Sequence, residues 1–407
     1  MTEPALSGLR VIDLSQGIAG PYCTKLLADA GAEVIKIEPP EGDYCRRLGP
    51  FPEDVPHPEK GGLFLFLNTS KKSVTLDVSV PSGQVVLKKL LDGADVLVES
   101  ERPGVMASRG LGFEDLRERF PKLIYASVTP FGQTGPYRDW DGNSLIAMAM
   151  STIMYGTGDP DREPLTTGGC PGDFLAGIQL WVGVLAALAY RARTGEGQHV
   201  DVSMAEACAA ADEYNAAMYA FQGAVRRRYY SRHIFGYPND ILPCKDGYVV
   251  VIPGAGGFPT PASPEGSVSP MALLLGDPEL DKNPLFLSMG ERMLKWREFD
   301  ALLEPWLREH TAKEIVEFAQ ALRMPFAYVP TAKDLLEDPH LEARRFFVRL
   351  EHPDAGALRY PGAPFRMTET PLESRPAPRK GEHTAEELRK AGYDREGLSI
   401  LADRGVI

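Results

Sequence analysis

Apolar and polar positions follow two regimes along this chain of 407 residues. In the first half, short apolar runs alternate with helical-period segments. Leu9–Leu14, Glu33–Glu38, Ser73–Asp77, Asp95–Glu99 and Leu123–Val128 predict strands. Between them, Pro21–Ala30, Ser82–Leu91 and Phe113–Phe120 predict helices; Pro21 sits in the first turn of its helix and Gly31 stops it. This alternation predicts an α/β fold with a mostly parallel sheet covered on both faces. Asn143–Met154 and Phe174–Arg193 predict core helices. After about Ala224 the rhythm breaks. One clear strand, Gly247–Ile252, is followed by helices around Leu285–Arg308 and Ala312–Leu322, then by an extended, Pro-rich stretch over Glu351–Met367. A last helix is expected over Gly381–Ala391, with Thr384 as N-cap and Glu387 three residues on as a capping box. The simplest division is a large α/β domain over 1–224, a smaller α+β domain over 225–345, and a linker over 346–407 that returns to the large domain.

Composition narrows the function classes. The chain is 43% apolar and 25% charged, as in soluble globular proteins, and carries a net charge of -12. That charge disfavours nonspecific binding to nucleic acid or an anionic membrane. The basic run Arg226–Arg228, followed by Tyr229 and Tyr230, therefore reads as a charged linker or a pocket wall. The five cysteines are scattered without a C-x-x-C pair, which indicates neither zinc nor a disulfide framework and fits a reducing cytoplasm. His199 and His233 lack ligand-spaced partners, so no metal site is expected. The N-terminus is polar and has no apolar signal core. Phe174–Tyr190 is short for a membrane span and contains Gln179, so it reads as a buried helix.

The first strand–turn–helix raises a question of ligand. Its turn, Gly17-Ile18-Ala19-Gly20-Pro21, lacks the closely spaced glycines of the dinucleotide fingerprint, and Pro21 removes a helix N–H. A nucleotide-like ligand at the strand ends still fits, and an NAD(P)-dependent oxidoreductase stays among the alternatives. Glu38 lies where a ribose-binding acid would sit, or is only the end of a strand. Asp173, in "PGDFLAG", precedes an apolar run, where Asp is a favoured helix cap.

These stretches belong to a larger set. "LNTSKKSVTLDVSVPSG" (Leu67–Gly83), "ADVLVESERPGVMASRGLG" (Ala94–Gly112), "LIYASVTPFGQTGPY" (Leu123–Tyr137), "GGCPGDFLAG" (Gly168–Gly177) and "TGEGQHVDVSMAEA" (Thr194–Ala207) follow the opening turn in order. Together they resemble the family III CoA-transferases, or CaiB/BaiF family, which includes formyl-CoA transferase, carnitine CoA-transferase and the α-methylacyl-CoA racemases. The resemblance covers the first 207 residues well and is looser beyond.

The resemblance implies a CoA thioester site with coenzyme A as substrate and product, no tightly bound cofactor, and a homodimer of two interlocked chains. Asp173 becomes the nucleophile that passes through an aspartyl anhydride and an aspartyl–CoA thioester, a form of covalent catalysis. Ile18 and Ala19 would border the pantetheine channel, and Leu76–Ser79 would hold adenine. Ser100, Arg102 and Arg109 belong to the turn that meets CoA, and Arg46, Arg47, Lys71 and Lys72 are further phosphate contacts. Pro39 stands where some transferases carry an Arg. Racemases carry a His-Asp pair where this chain has Asn143 and Ser144, and Asn cannot shuttle a proton. Transfer is therefore expected over racemisation. Asn143 remains either a hydrogen-bond donor to substrate or a helix cap. A non-catalytic acyl-CoA-binding relative is the third alternative. Ile18 replaces a polar Gln of formyl-CoA transferase, which argues against oxalate, and Met148, Met150, Met154, Met218 and Phe221 would suit a larger apolar acid. The loop Pro253–Gly257 resembles, weakly, the glycine loop that covers the site in formyl-CoA transferase.

Overall fold

The computed structural model describes residues 3–229, 236–254, 257–259 and 266–407. Tyr230 and His233, and Ala255 and Gly256 of the glycine loop, lie outside the described residues.

The predicted alternation folds as β1 (Arg10–Asp13), α1 (Ala19–Asp29), β2 (Glu33–Glu38), α2 (Gly62–Leu67), β3 (Lys72–Thr75), α3 (Pro81–Leu90), β4 (Val96–Glu99), α4 (Val105–Ser108), α5 (Phe113–Leu116) and β5 (Ile124–Thr129). Then come α6 (Ser144–Met150), α7 (Pro171–Thr194), β6 (His199–Ser203), α8 (Met204–Ala211) and α9 (Glu213–Gln222). The six strands form one sheet in the order β3-β2-β1-β4-β5-β6, all parallel. Central strands read as continuous apolar runs because helices cover the sheet. In β1, Ile12 pairs with Ile35 on one side and Leu97 on the other. Val86, Leu87 and Leu90 of α3 pack on these residues with Leu116. Helices α1 and α7 pack on each other; α1 also packs on β1 and β5, and α7 on β5 and β6.

The chain divides into two compact units, and the first comprises Met1–Ile153, Thr166–Ala224 and Pro339–Ile407. Its C-terminal part contains a hairpin, and two closing helices whose Leu388 and Leu401 join the same core as α3. The second unit comprises Met154–Leu165 and Val225–Asp338. A three-stranded antiparallel sheet packs there with helices around Phe258, Phe286, Phe299, Leu303 and Ile315.

Several expectations are corrected. A sixth strand, His199–Ser203, was not expected: most of its residues are only partly buried, and the exposed Asp201 interrupts the apolar run. The stretch over 351–367 is the second half of a hairpin, Phe347–His352 against Gly356–Pro361. The expected capping box is absent. Thr384 is the first helical residue, and its hydroxyl accepts the Thr75 N–H at 2.9 Å. Glu387 is instead buried and paired with Lys72 and Lys390, each at 2.8 Å. Helix α7 is long and apolar enough by length and composition to cross a bilayer, and it is not the fully buried helix expected: Ile178, Val182 and Tyr190 are exposed.

Candidate active site

The strand order reverses at the gap between β1 and β4, and parallel sheets bind ligands outside the carboxyl ends of such strands. A cavity of about 300 Å³ lies there. Leu14 and Gln16 enter it after β1, Pro39 to Glu41 after β2, Leu76 to Ser79 after β3, and Glu101, Met106 and Arg109 after β4. The cavity thus gathers Leu76, Ser79 and Arg109 of the sequence-derived residues. The Ser79 hydroxyl donates to Asp77 at 2.6 Å, and Arg109 reaches Glu101 at 3.4 Å. Ser100 holds the turn together, its hydroxyl accepting the Gln16 N–H at 3.0 Å. Arg102 does not line the cavity; it is exposed and paired with Asp141.

The turn after β1 leads from this cavity to Asp173. Gly17 has a left-handed φ of 82°, and a Cβ there would lie 2.2 Å from the Tyr44 hydroxyl. Only glycine fits both conditions. Ile18 and Ala19 bury their side chains, so what they present to a ligand is backbone. Gly177 brings α7 onto this turn, since a Cβ would lie 2.6 Å from the Ala19 carbonyl oxygen. Tyr22 then meets Phe174 edge to face at 4.9 Å.

Asp173 is the third residue of α7, not its cap; Cys170 holds the cap position and Pro171 the first turn. The half-buried carboxyl is pushed up to about 6 by desolvation, which its own backbone N–H only partly offsets. Tyr44, Cys45, Cys170 and Cys208 surround it closely enough for its charge to raise their own pKa values, after the larger effect of burial. Ser144 fixes the helix start: its buried hydroxyl accepts the Gly172 N–H at 2.9 Å. Asn143 caps α6, with its side-chain oxygen accepting the Ile146 N–H at 3.1 Å. That is the capping role, and it leaves no acid–base pair at this position. Sequence reasoning missed Tyr44, Cys170 and Cys208. Tyr44 and Cys170 come from stretches without periodicity, the first after β2 and the second before α7, and Cys208 lies on the buried face of α8, where it reads as core.

The charges beneath the turn correct other expectations. Asp13 is fully buried, and burial alone would raise it; Lys71 and Lys36, with hydrogen bonds from Ser15 and Thr24, outweigh that and hold it down at about 2. Lys71 also bonds Asn68 and the Pro21 carbonyl, and Lys36 pairs with Asp43. Glu38 is not a solvated strand end. It is buried, takes Arg46 through two bonds at 2.7 and 2.8 Å, and accepts from Ser73. Arg46, Lys71 and Lys72 are therefore engaged by carboxylates and are not offered to a phosphate. Of the large side chains expected to suit an apolar acid, Met148 is core, whereas Met150 and Phe221 are exposed.

The chain is similar over its length to proteins of known activity. The model of "CoA-transferase family III" matches residues 6–384. A succinyl-CoA–D-citramalate CoA-transferase of Chloroflexus aurantiacus is 35% identical, covering 99% of this chain and 98% of its own. A succinyl-CoA:mesaconate CoA-transferase of Haloarcula marismortui is 34% identical over 96% of this chain and 97% of its own. Among solved structures, a CaiB/BaiF family protein of Brucella suis superposes with a TM-score of 0.83 at 29% identity, over 96% of this chain and 100% of that one. This chain belongs to the family III CoA-transferases and is a CoA-transferase.

Proposed function

We propose that this enzyme moves CoA from an acyl-CoA thioester to a free carboxylic acid through Asp173. The observation that carries the reading is this one half-buried carboxylate, raised to about 6, at the start of a long helix and against a glycine turn. At pH 7 to 8 such a group is ionised yet more basic than an exposed aspartate, which favours nucleophilic attack. Asp173 attacks the thioester carbonyl, the C–S bond breaks, and CoA leaves as thiolate. The thiolate attacks the aspartyl carbonyl of the mixed anhydride, releases the donor acid and forms an aspartyl–CoA thioester. The acceptor carboxylate then displaces CoA to form a second anhydride. The thiolate takes the acceptor's acyl group, and the Asp173 carboxylate is regenerated.

The adenosine end of CoA occupies the cavity at the strand ends, and pantetheine runs along the Gly17–Gly20 backbone to Asp173. CoA serves as substrate and product, with no tightly bound cofactor. The names of the relatives support succinyl-CoA as donor and a short dicarboxylic acid as acceptor. The enzyme works in the cytoplasm as an interlocked homodimer. The first unit binds CoA; the smaller domain is built mainly from 225–338, and the chain from 339 onward returns to the first.

Incubation with succinyl-CoA and hydroxylamine tests the mechanism. An aspartyl hydroxamate at Asp173, found by peptide mass spectrometry and absent from Asp173→Asn, is the expected result. Turnover with an unmodified Asp173 removes the covalent route.

A further inference from the structure

The cavity at the strand ends poses an electrostatic problem. Its wall carries the acids Glu41, Asp77 and Glu101, and Arg109, the cation within the wall, is already paired with Glu101. A ligand that brings phosphate to this place needs positive charge from outside the sheet.

Two side chains meet that need. Lys380, from the C-terminal segment, donates its ammonium to the Pro40 carbonyl at 2.6 Å. Arg47, from the short turn Tyr44–Arg47, donates to the Glu41 carbonyl at 3.4 Å. Pro40 and Glu41 are neighbours in the cavity wall. Among the described residues, neither cation has a carboxylate partner within 4.0 Å. Most other basic groups nearby, Arg46, Lys71 and Lys72 among them, do.

Lys380 is also held in place. Its stem passes beside Gly42, and its backbone N–H donates to Glu59 at 3.2 Å. The neighbouring Pro378 carbonyl accepts from buried Arg46 at 3.3 Å, and the Gly381 N–H donates to Ser73 at 2.8 Å. The segment around Lys380 is thus tied to the end of β2 through Arg46 and to Ser73 of β3, so its charge sits beside Pro40 without a further ordering cost.

We propose that Lys380 and Arg47 form a two-cation clamp for the ribose 3′-phosphate of the CoA substrate. The clamp would read the feature that separates CoA from dephospho-CoA. Lys380 supplies, from the far end of the chain, a charge beside Pro39, which cannot carry one. The inference rests on the cavity taking the adenosine end of CoA.

Calorimetric titration of the whole protein with CoA and with 3′-dephospho-CoA tests it. The parent is expected to prefer CoA by roughly tenfold or more. Lys380→Ala and Arg47→Ala should each cut that preference by about three- to tenfold by weakening CoA alone, and Lys380→Arg should restore it. Variants that keep the parent's preference, or that weaken both ligands equally, overturn the clamp and leave the CoA site standing. A parent that binds CoA without preferring it does the same. A parent that binds neither ligand removes the CoA site, and the clamp with it.

Discussion

Asp173 carries two opposed demands at the scale of one side chain. Desolvation raises it from an ordinary 3.8 to about 6, so its ionised form is the less stable one in the folded protein. Two consequences can be measured. The first is kinetic: kcat/KM should fall as pH drops through about 6, because the protonated acid is no nucleophile, and Asp173→Asn should lower kcat about a thousandfold or more. The second is thermodynamic. A carboxyl raised on folding contributes stability that is complete below pH 4 and is lost as pH rises through about 6. At pH 7.5 the charge costs roughly 1–3 kcal/mol, the upper figure being the full shift and the lower allowing for partial exposure. Asp173→Asn should therefore melt several degrees higher than the parent at pH 7.5, and this advantage should vanish at pH 4. A variant equal to or less stable than the parent at pH 7.5 would mean that Asp173 is tied down by partners, as a structural carboxylate would be.

Strands β1 and β2 end on a buried ionic framework, which Lys71 joins from just before β3, and it is this framework that shapes the turn. Asp13 takes Lys71, Ser15 and Thr24; Lys36 bridges the Ser15 carbonyl to Asp43; Glu38 takes Arg46. Breaking one buried pair leaves an uncompensated charge, at about 3–5 kcal/mol. Lys71→Met should lower the unfolding free energy measured in urea by that amount, and adding Asp13→Asn should recover part of it, because the orphaned charge goes with its partner. Additive losses would show that each side chain acts through packing alone. The strands themselves were legible as apolar runs, and the opening turn was legible because glycine there has few explanations. The framework was not legible. A Lys or Glu at a strand end reads as solvated surface, and only tertiary placement of Arg46, eight residues on from Glu38, reveals it as buried. Asp173 stood out through its motif, while Tyr44 lay in a segment with no periodicity to say which way it points. The ends of the chain were misread for a related reason: Thr384 was given a local cap, but Thr75, far away in sequence, takes its hydroxyl.

For the whole molecule, the surface of α7 is the decisive feature. In its most apolar window only a third of the residues are buried, and Ile178 and Val182 are exposed. Leu145, Ile146 and Met150 of the adjoining α6 and Phe221 of α9, 89% exposed, add to the apolar surface. Monomers rarely leave so much apolar surface in water, and a second copy of the chain is the proposed cover. Sedimentation should give a dimer for the parent, and Ile178→Glu with Val182→Glu should give a folded but dissociated or aggregating chain. The interlocked arrangement makes a sharper demand than dimerisation. Two chains threaded through one another cannot part without at least one of them opening, so their exchange is limited by unfolding, which is slow in native buffer. Tagged and untagged dimers mixed in native buffer should remain unmixed for days, and should scramble once unfolded in urea and refolded together. Two chains that merely meet face to face would scramble in native buffer at the rate at which they dissociate. Hybrid dimers within hours would leave the apolar face a dimer interface but exclude the threading.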